Sequence, residues 1–106
     1  EGTEIKEGAI IRKGTSIGKW NEVYPYVVIG EAPQDIQYKG EETGVVIGDG
    51  NIIREFTTIH RGSKEGDTII GDSNFIMAYT HIGHNVNIGS RTRLVNGTTL
   101  GGWVEV

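Results

Sequence analysis

The sequence predicts an all-β fold, a parallel β-helix wound from triangular coils of three hexads each. Three observations predict it: aliphatic residues recur every six positions, 17 of the 106 residues are glycine, and only two are proline. Glycine costs a helix about 1 kcal/mol per site, so its recurrence along the whole chain disfavours helix. A fixed short period is typical of solenoids, whose repeats bury their apolar side by stacking.

Aliphatic anchors carry the repeat in three uninterrupted runs. The anchors are Ile5, Ile11, Ile17, Val23 and Ile29, then Ile47, Ile53 and Ile59, then Ile70, Ile76, Ile82, Ile88, Leu94, Leu100 and Val106. A small residue, a β-branched residue or Asn stands two before every anchor. Residues two apart on a strand share a face, so both positions point inward. Residues one coil apart then stack at about 4.8 Å. This spacing predicts three ladders, which are Ile70–Ile88–Val106, Ile76–Leu94 and Ile82–Leu100.

Two polar stretches interrupt the hexads and predict loops thrown out from one corner. They are EAPQDIQYKGEETG, residues 31–44, and HRGSKEGD, residues 60–67. Insertions in solenoids form external loops, which often build binding sites. We therefore expect a single β-helix domain over residues 1–106 with two loops. Because the chain begins inside a repeat and stops on the anchor Val106, we expect a piece of a longer solenoid.

Charge and composition exclude several classes of protein. The net charge is -4 and the basic residues are scattered, which argues against binding nucleic acid. There is no cysteine, which excludes disulfides and thiolate metal sites and fits a cytoplasmic location. No apolar run approaches the ~20 residues of a membrane helix, so no membrane insertion is expected.

The stretch MAYTHIGHNVNIG places two histidines, His81 and His84, three residues apart. Histidine suits general-base catalysis because its ordinary pKa, about 6.5, lies near working pH. A catalytic zinc site is the alternative, but it needs three protein ligands, and the remaining histidine is His60. No acidic residue or cysteine in the stretch completes the set. We therefore expect neither a metal nor a cofactor.

Five aromatic residues each stand three positions before an anchor. They are Trp20, Tyr26, Phe56, Tyr79 and Trp103. They are interpreted either as corner residues without a specific role or as contacts between subunits. Exposed rings on a narrow solenoid favour subunit contact for some of them.

Three motifs, GEAPQDIQYKGE, IREFTTIHRG and MAYTHIGHNVNIG, occur in an order and spacing that resemble a known family. The family is the acyl-ACP–UDP-N-acetylglucosamine O-acyltransferases of lipid A synthesis, and the resemblance covers essentially the whole chain. It implies a left-handed parallel β-helix, an exception to the usual right-handed crossover. It also implies a homotrimer with active sites in clefts between neighbouring subunits. The family's full chain adds coils on both sides and a C-terminal helical domain, which these residues do not include.

The resemblance implies a reaction and a catalytic set. A 3-hydroxyacyl chain moves from acyl carrier protein to the 3-hydroxyl of UDP-N-acetylglucosamine. The family's general base matches His84, the acidic neighbour that orients it falls on Asn85, and its backbone oxyanion donor falls on Gly102. The sequence independently places Gly102 one coil above His84, where a base and an N–H could flank one carbonyl.

The resemblance also implies residues that bind the substrates. Gln34 and Asp35 match loop residues that contact the sugar nucleotide, although Pro33 and Asp35 also predict a turn. His60 and His81 match cleft histidines. Met77 falls where the family lines its acyl groove.

Three positions depart from the family. Asn85 replaces an Asp and cannot stabilise an imidazolium by charge; the analogous change in serine proteases costs about 10⁴ in kcat. Gln37 stands where a lysine usually meets the phosphates, and it keeps hydrogen bonding without the charge. Trp103 replaces a cleft histidine and is expected over Asn85, where its bulk could close the cleft.

Three functions remain open on the sequence. The first is an acyltransferase that uses His84. The second is a shortened or redesigned β-solenoid that keeps the fold and lacks turnover. The third is a sugar-nucleotide binding module that relies on Gln34 and Asp35.

Overall fold

A computed structural model describes residues 2–64 and 66–106 of the chain. These residues contain short β-strands and no helix. The strands are β1 (Glu4–Ile5), β2 (Ile10–Ile11), β3 (Thr15–Ile17), β4 (Glu22–Val23), β5 (Val28–Glu31), β6 (Val45–Ile47), β7 (Ile52–Ile53), β8 (Thr58–His60), β9 (Thr68–Ile70), β10 (Phe75–Ile76), β11 (His81–Ile82), β12 (Asn87–Ile88), β13 (Arg93–Leu94) and β14 (Thr99–Leu100).

The strands form three parallel sheets, one for each side of a triangular left-handed β-helix. The first sheet has the order β1-β4-β7-β10-β13, the second β14-β11-β8-β5-β2 and the third β12-β9-β6-β3. Each strand therefore pairs with the strand one coil away and never with its neighbour in sequence. The predicted ladders are confirmed, because Ile76 pairs with Leu94, Ile82 with Leu100 and Ile70 with Ile88.

Both interruptions of the hexads are loops between coils. Thr15 pairs with Val45, 30 positions later, and Val45 pairs with Thr68, 23 positions later. The flanking strands define the first loop as residues 32–44, between β5 and β6, and the second as residues 61–67, between β8 and β9. Each loop begins one residue later than the pattern indicates, because Glu31 still pairs with His60 past a register shift. Gly30 at this shift has a φ of 92°, which glycine adopts without strain.

The core is a column of anchors with the residues two before them. The anchors from Val23 to Ile88 are buried, and Leu94 is nearly so. Ile5 and Val106, in the outermost coils, are about half exposed. Asn21, Asn51 and Asn74 are buried among the apolar residues and bond to one another and to backbone groups. The prediction that both positions point inward is confirmed.

Candidate active site

The site lies at the corner that follows the second sheet. The chain leaves β11 at Ile82 and turns through His84 and Asn85 before it enters β12. Asn85 has a φ of 61°, in the left-handed region that Asn tolerates better than most residues. Both loops belong to the same corner, because 32–44 follows β5 and 61–67 follows β8 in that sheet. Residues distant in sequence therefore surround His84.

His84 is held through its Nδ1 atom. Nδ1 lies 2.9 Å from Asn85 Oδ1, which also accepts the Ser63 backbone N–H at 2.9 Å. An amide oxygen is only an acceptor, so Nδ1 of His84 carries the proton of this bond. In the neutral ring the lone pair is then on Nε2, which is the form a general base needs.

Asp35 approaches the other nitrogen of His84. Its Oδ2 lies 3.7 Å from His84 Nε2. Its Oδ1 accepts the Gln37 N–H at 3.0 Å, and its carbonyl accepts the Tyr38 N–H at 3.0 Å. The turn predicted at Asp35 is therefore present. The long loop brings a carboxylate to the nitrogen that has the lone pair.

Gly102 lies directly against the His84 ring, one coil further along the chain. A Cβ atom there would come within 3.0 Å of His84 Cδ2 and closer still to other ring atoms. Glycine is required because the imidazole occupies that space. Within the described residues, no hydrogen-bond acceptor pairs with the Gly102 N–H. An unpaired backbone donor beside a histidine is an arrangement that can stabilise an oxyanion.

Trp103 stands edge-on to His84. The ring centroids are 6.2 Å apart at an interplanar angle of 90°, and the Trp103 N–H donates to the His84 carbonyl at 3.0 Å. The indole remains 58% exposed. It borders the His84 ring, and the Asp35 carboxylate still reaches Nε2.

His81 and His60 form a second pair on the outer face of the same sheet. Their ring centroids are 4.9 Å apart. Burial lowers the pKa of His81, and the neighbouring His60 lowers it further. His60 is 5% exposed, and its Nδ1 lies 2.8 Å from the Ala32 carbonyl, at the start of the long loop. Its buried Nε2 has no partner among the described residues.

The other predicted binding residues do not meet His84 within one chain. Gln34 and Gln37 are exposed on the long loop. Met77 follows β10 of the first sheet and lines a separate depression of about 220 Å³ with Arg54, Glu55, Phe75, Ala78 and Asn96. The corner of Tyr79 separates Met77 from the second sheet.

Ser63 is the residue of this site that the sequence analysis missed. It contacts Asn85 by its N–H and its hydroxyl, and its Oγ lies 3.3 Å from His84 Nδ1. The hexad pattern could not find it, because the 61–67 loop lies outside the repeat. Its contact with Asn85 depends on how the loop folds.

The described residues contain no group of three His, Cys, Asp or Glu side chains arranged to hold a metal ion. They also contain no helix with the length and apolar character needed to cross a membrane.

Known proteins resemble this chain in repeat and in fold. A family model described as bacterial transferase hexapeptide (six repeats) matches residues 67–102. The structure of LpxA, a UDP-N-acetylglucosamine acyltransferase from Bacteroides fragilis, is 40% identical with a TM-score of 0.96, over 98% of this chain and 41% of that chain. Another UDP-N-acetylglucosamine acyltransferase structure is 42% identical with a TM-score of 0.90, over 98% and 43%. The Campylobacter jejuni enzyme is 35% identical with a TM-score of 0.82, over 98% and 50%.

These findings first define a class, the left-handed hexapeptide-repeat transferase solenoids. Within that class, over the residues it spans, the chain is similar to UDP-N-acetylglucosamine acyltransferases, at 35% to 42% identity. It spans 41% to 50% of the length of these three solved chains.

Proposed function

We propose that this chain is the acyl-transfer solenoid of a UDP-N-acetylglucosamine O-acyltransferase. It moves a 3-hydroxyacyl chain from acyl carrier protein to the 3-hydroxyl of UDP-N-acetylglucosamine, the first step of lipid A synthesis. The observation that carries the proposal is the geometry of His84. Its Nδ1 is bonded to Asn85, and its Nε2 faces Asp35. Gly102, whose N–H has no acceptor among the described residues, lies against the same ring.

In this proposal His84 is the general base. Its Nε2 takes the proton of the sugar 3-hydroxyl as that oxygen attacks the thioester carbonyl carbon. The Gly102 N–H donates to the oxyanion that develops on the carbonyl oxygen. When the intermediate collapses, the carbon–sulfur bond breaks and the imidazolium returns its proton to the leaving thiolate. The ester and the free thiol of the carrier protein are the products.

The proposed assembly is a homotrimer. Met77 and His84 lie on either side of the Tyr79 corner of one chain. A substrate that spans an acyl groove at Met77 and a base at His84 would meet both only in a cleft between two copies. The same cleft would place Gln34, Gln37, His60 and His81 around the sugar nucleotide. A cytoplasmic location is part of this proposal.

An acyl-transfer assay tests the proposal. Light scattering first establishes that the protein used in the assay is a trimer. Acyl carrier protein thioester and UDP-N-acetylglucosamine are the substrates. We expect His84→Ala to lower kcat by about 10²–10⁴-fold, the usual contribution of a general base. Asn87→Ala is the matched control, because Asn87 lies on β12 with its side chain exposed and pointing away from the core.

The same assay separates the alternatives. If a folded trimer shows no turnover and does not bind UDP-N-acetylglucosamine, the proposal is wrong and the chain is a solenoid scaffold. If UDP-N-acetylglucosamine binds equally well to the original chain and to His84→Ala while neither turns over, the chain is a sugar-nucleotide binding module. The exposed Gln34 and the partly buried Asp35 would then carry its function.

A further inference from the structure

Resting on the proposed role of His84, we propose that the 61–67 loop is matched to an asparagine at position 85. Through that amide, the loop sets the tautomer of His84. Asn85 is then a positioning residue of this site, and not a defective replacement of the family's aspartate. Ser63 is the loop residue that distinguishes an asparagine side chain from an aspartate side chain at position 85.

The backbone of Ser63 recognises an amide by two opposite groups. Its N–H donates to Asn85 Oδ1 at 2.9 Å, and its carbonyl accepts Asn85 Nδ2 at 3.3 Å. A backbone N–H can only donate and a carbonyl can only accept. An amide satisfies both groups at once. A carboxylate satisfies the first and would turn its second oxygen toward the carbonyl oxygen.

Water cannot relieve that conflict, because the contact is buried. Ser63 is 2% exposed and Asn85 is 8% exposed. A buried polar atom without a partner, or one that faces a like charge, destabilises the folded state. The position therefore discriminates between Asn and Asp even though the two side chains have nearly the same shape.

The loop also packs closely around the amide nitrogen. A Cβ atom on Gly62 or Gly66 would lie 3.0 Å or 3.1 Å from Asn85 Nδ2. The backbone N–H of Asn85 donates to Thr68 Oγ1 at 2.9 Å, so the residue is held at its backbone as well as at its side chain. The amide is therefore enclosed, and its orientation is fixed by the groups around it.

The orientation of the amide determines which nitrogen of His84 carries the proton. Because Ser63 N–H must face an oxygen, Oδ1 is the atom that meets His84 Nδ1 at 2.9 Å. The Ser63 hydroxyl reinforces this by donating to the same oxygen at 3.1 Å. Nδ1 therefore carries the proton, and Nε2 faces Asp35 with its lone pair. A flipped amide would set its NH₂ against Ser63 N–H.

Substitution of Asn85 by Asp tests the match directly. If position 85 had merely lost a carboxylate, Asn85→Asp would raise kcat, and with it kcat/KM, by up to about 10⁴-fold on the serine-protease precedent. We expect no rise in kcat/KM, a lower urea midpoint of unfolding, and faster hydrogen exchange at the loop amides near Ser63. The control Asn87→Asp, on an exposed position, should leave all three unchanged.

Nitrogen NMR of the His84 ring, assigned with His84→Gln, supplies a readout that needs no turnover. At about pH 8.5, where histidine is neutral, we expect the Nδ1–H tautomer in the original chain and a shift toward Nε2–H in Asn85→Ala. A rise in kcat/KM or unchanged stability of Asn85→Asp would overturn the proposal, as would an Nε2–H tautomer in the original chain. If turnover is absent in every variant while tautomer and stability respond as expected, the proposed function fails and this inference stands.

Discussion

At the scale of single residues, His81 is the group whose charge state the fold controls most clearly. Its side chain lies on the outer face of β11, against His60 and near Thr58, whose Oγ1 is 3.3 Å from His81 Nδ1. Burial lowers the pKa of His81, and the positive charge that His60 can carry lowers it further. The folded chain therefore favours neutral His81.

This predicts a pH dependence of stability. Because the pKa of His81 is lower in the folded than in the unfolded chain, the unfolded chain binds more protons just below the ordinary histidine pKa of about 6.5. The free energy of unfolding should fall as the pH falls through that window and recover above it. Urea unfolding of the original chain and of His81→Gln, between about pH 5 and 8 at one protein concentration, measures the slope. The slope should be shallower in His81→Gln, and equal slopes would contradict the assigned shift.

At the scale of elements, the asparagine column links successive coils inside the core. The Asn51 side chain accepts the Asn74 N–H at 2.9 Å and donates to the Gly71 carbonyl at 2.9 Å. Asn21 repeats the pattern one coil earlier, accepting the Asn51 N–H at 2.7 Å. These side chains pair backbone groups at the corner where no strand ladder can pair them.

Removal of one member should therefore cost more than its apolar contacts. We expect Asn51→Ala to lower the free energy of unfolding by at least about 2 kcal/mol, because Asn74 N–H and the Gly71 carbonyl lose their partners at about 1–3 kcal/mol each. Asn96→Ala, on an exposed corner, is the control and should change stability little. Equal losses in the two variants would show that the column is not a stabilising element.

A second column, on the next corner, is aromatic. Tyr26, Phe56 and Tyr79 stack with ring centroids 5.6 Å and 5.1 Å apart, and all three have φ near 64°. Bulky residues are rarely found in that conformation, which costs them about 1–2 kcal/mol each. Stacking at about 0.5–1.5 kcal/mol per pair offsets part of this strain. The interpretation of these rings as subunit contacts remains a prediction.

At the scale of the whole molecule, stability depends on the inward column of anchors. Ile82 is completely buried in the middle of the longest run and pairs with Ile59 on one side and Leu100 on the other. A buried apolar side chain of this size contributes about 1.5–3 kcal/mol. An unpaired carboxylate in its place would have no partner and no water.

We therefore predict that Ile82→Asp abolishes folding. Ile69→Asp is the matched control, since Ile69 is on the outward face of β9 with 41% exposure, and it should remain folded. Circular dichroism with thermal unfolding distinguishes the two outcomes. A cooperative transition of Ile82→Asp at an unchanged temperature would contradict the core assignment.

Much of the fold was predictable because the repeat is local. The period of six places an anchor and its partner two residues earlier on one face of each short strand, and Ile76, Ile82 and Ile88 are buried as that rule requires. The coil length then follows, since three such strands close a triangle and bring Ile82 onto Leu100. The coil length of about 18 residues also predicted that Gly102 lies next to His84, as the structure shows.

The period of six located only the part of the candidate site inside the repeat, which is Gly102 beside His84, and the resemblance of the loop motif indicated Asp35. The loops carry no period, so the contacts of Asp35 and Ser63 with the His84–Asn85 corner had no signal in the spacing of residues. Tertiary structure alone decided that Asn85 meets an N–H and a carbonyl of the same loop residue. The pattern of apolar residues specifies which side chains are buried, since burial follows from local periodicity. The direction of each polar group depends on loops closing over long stretches of chain, and that is a property of the folded molecule.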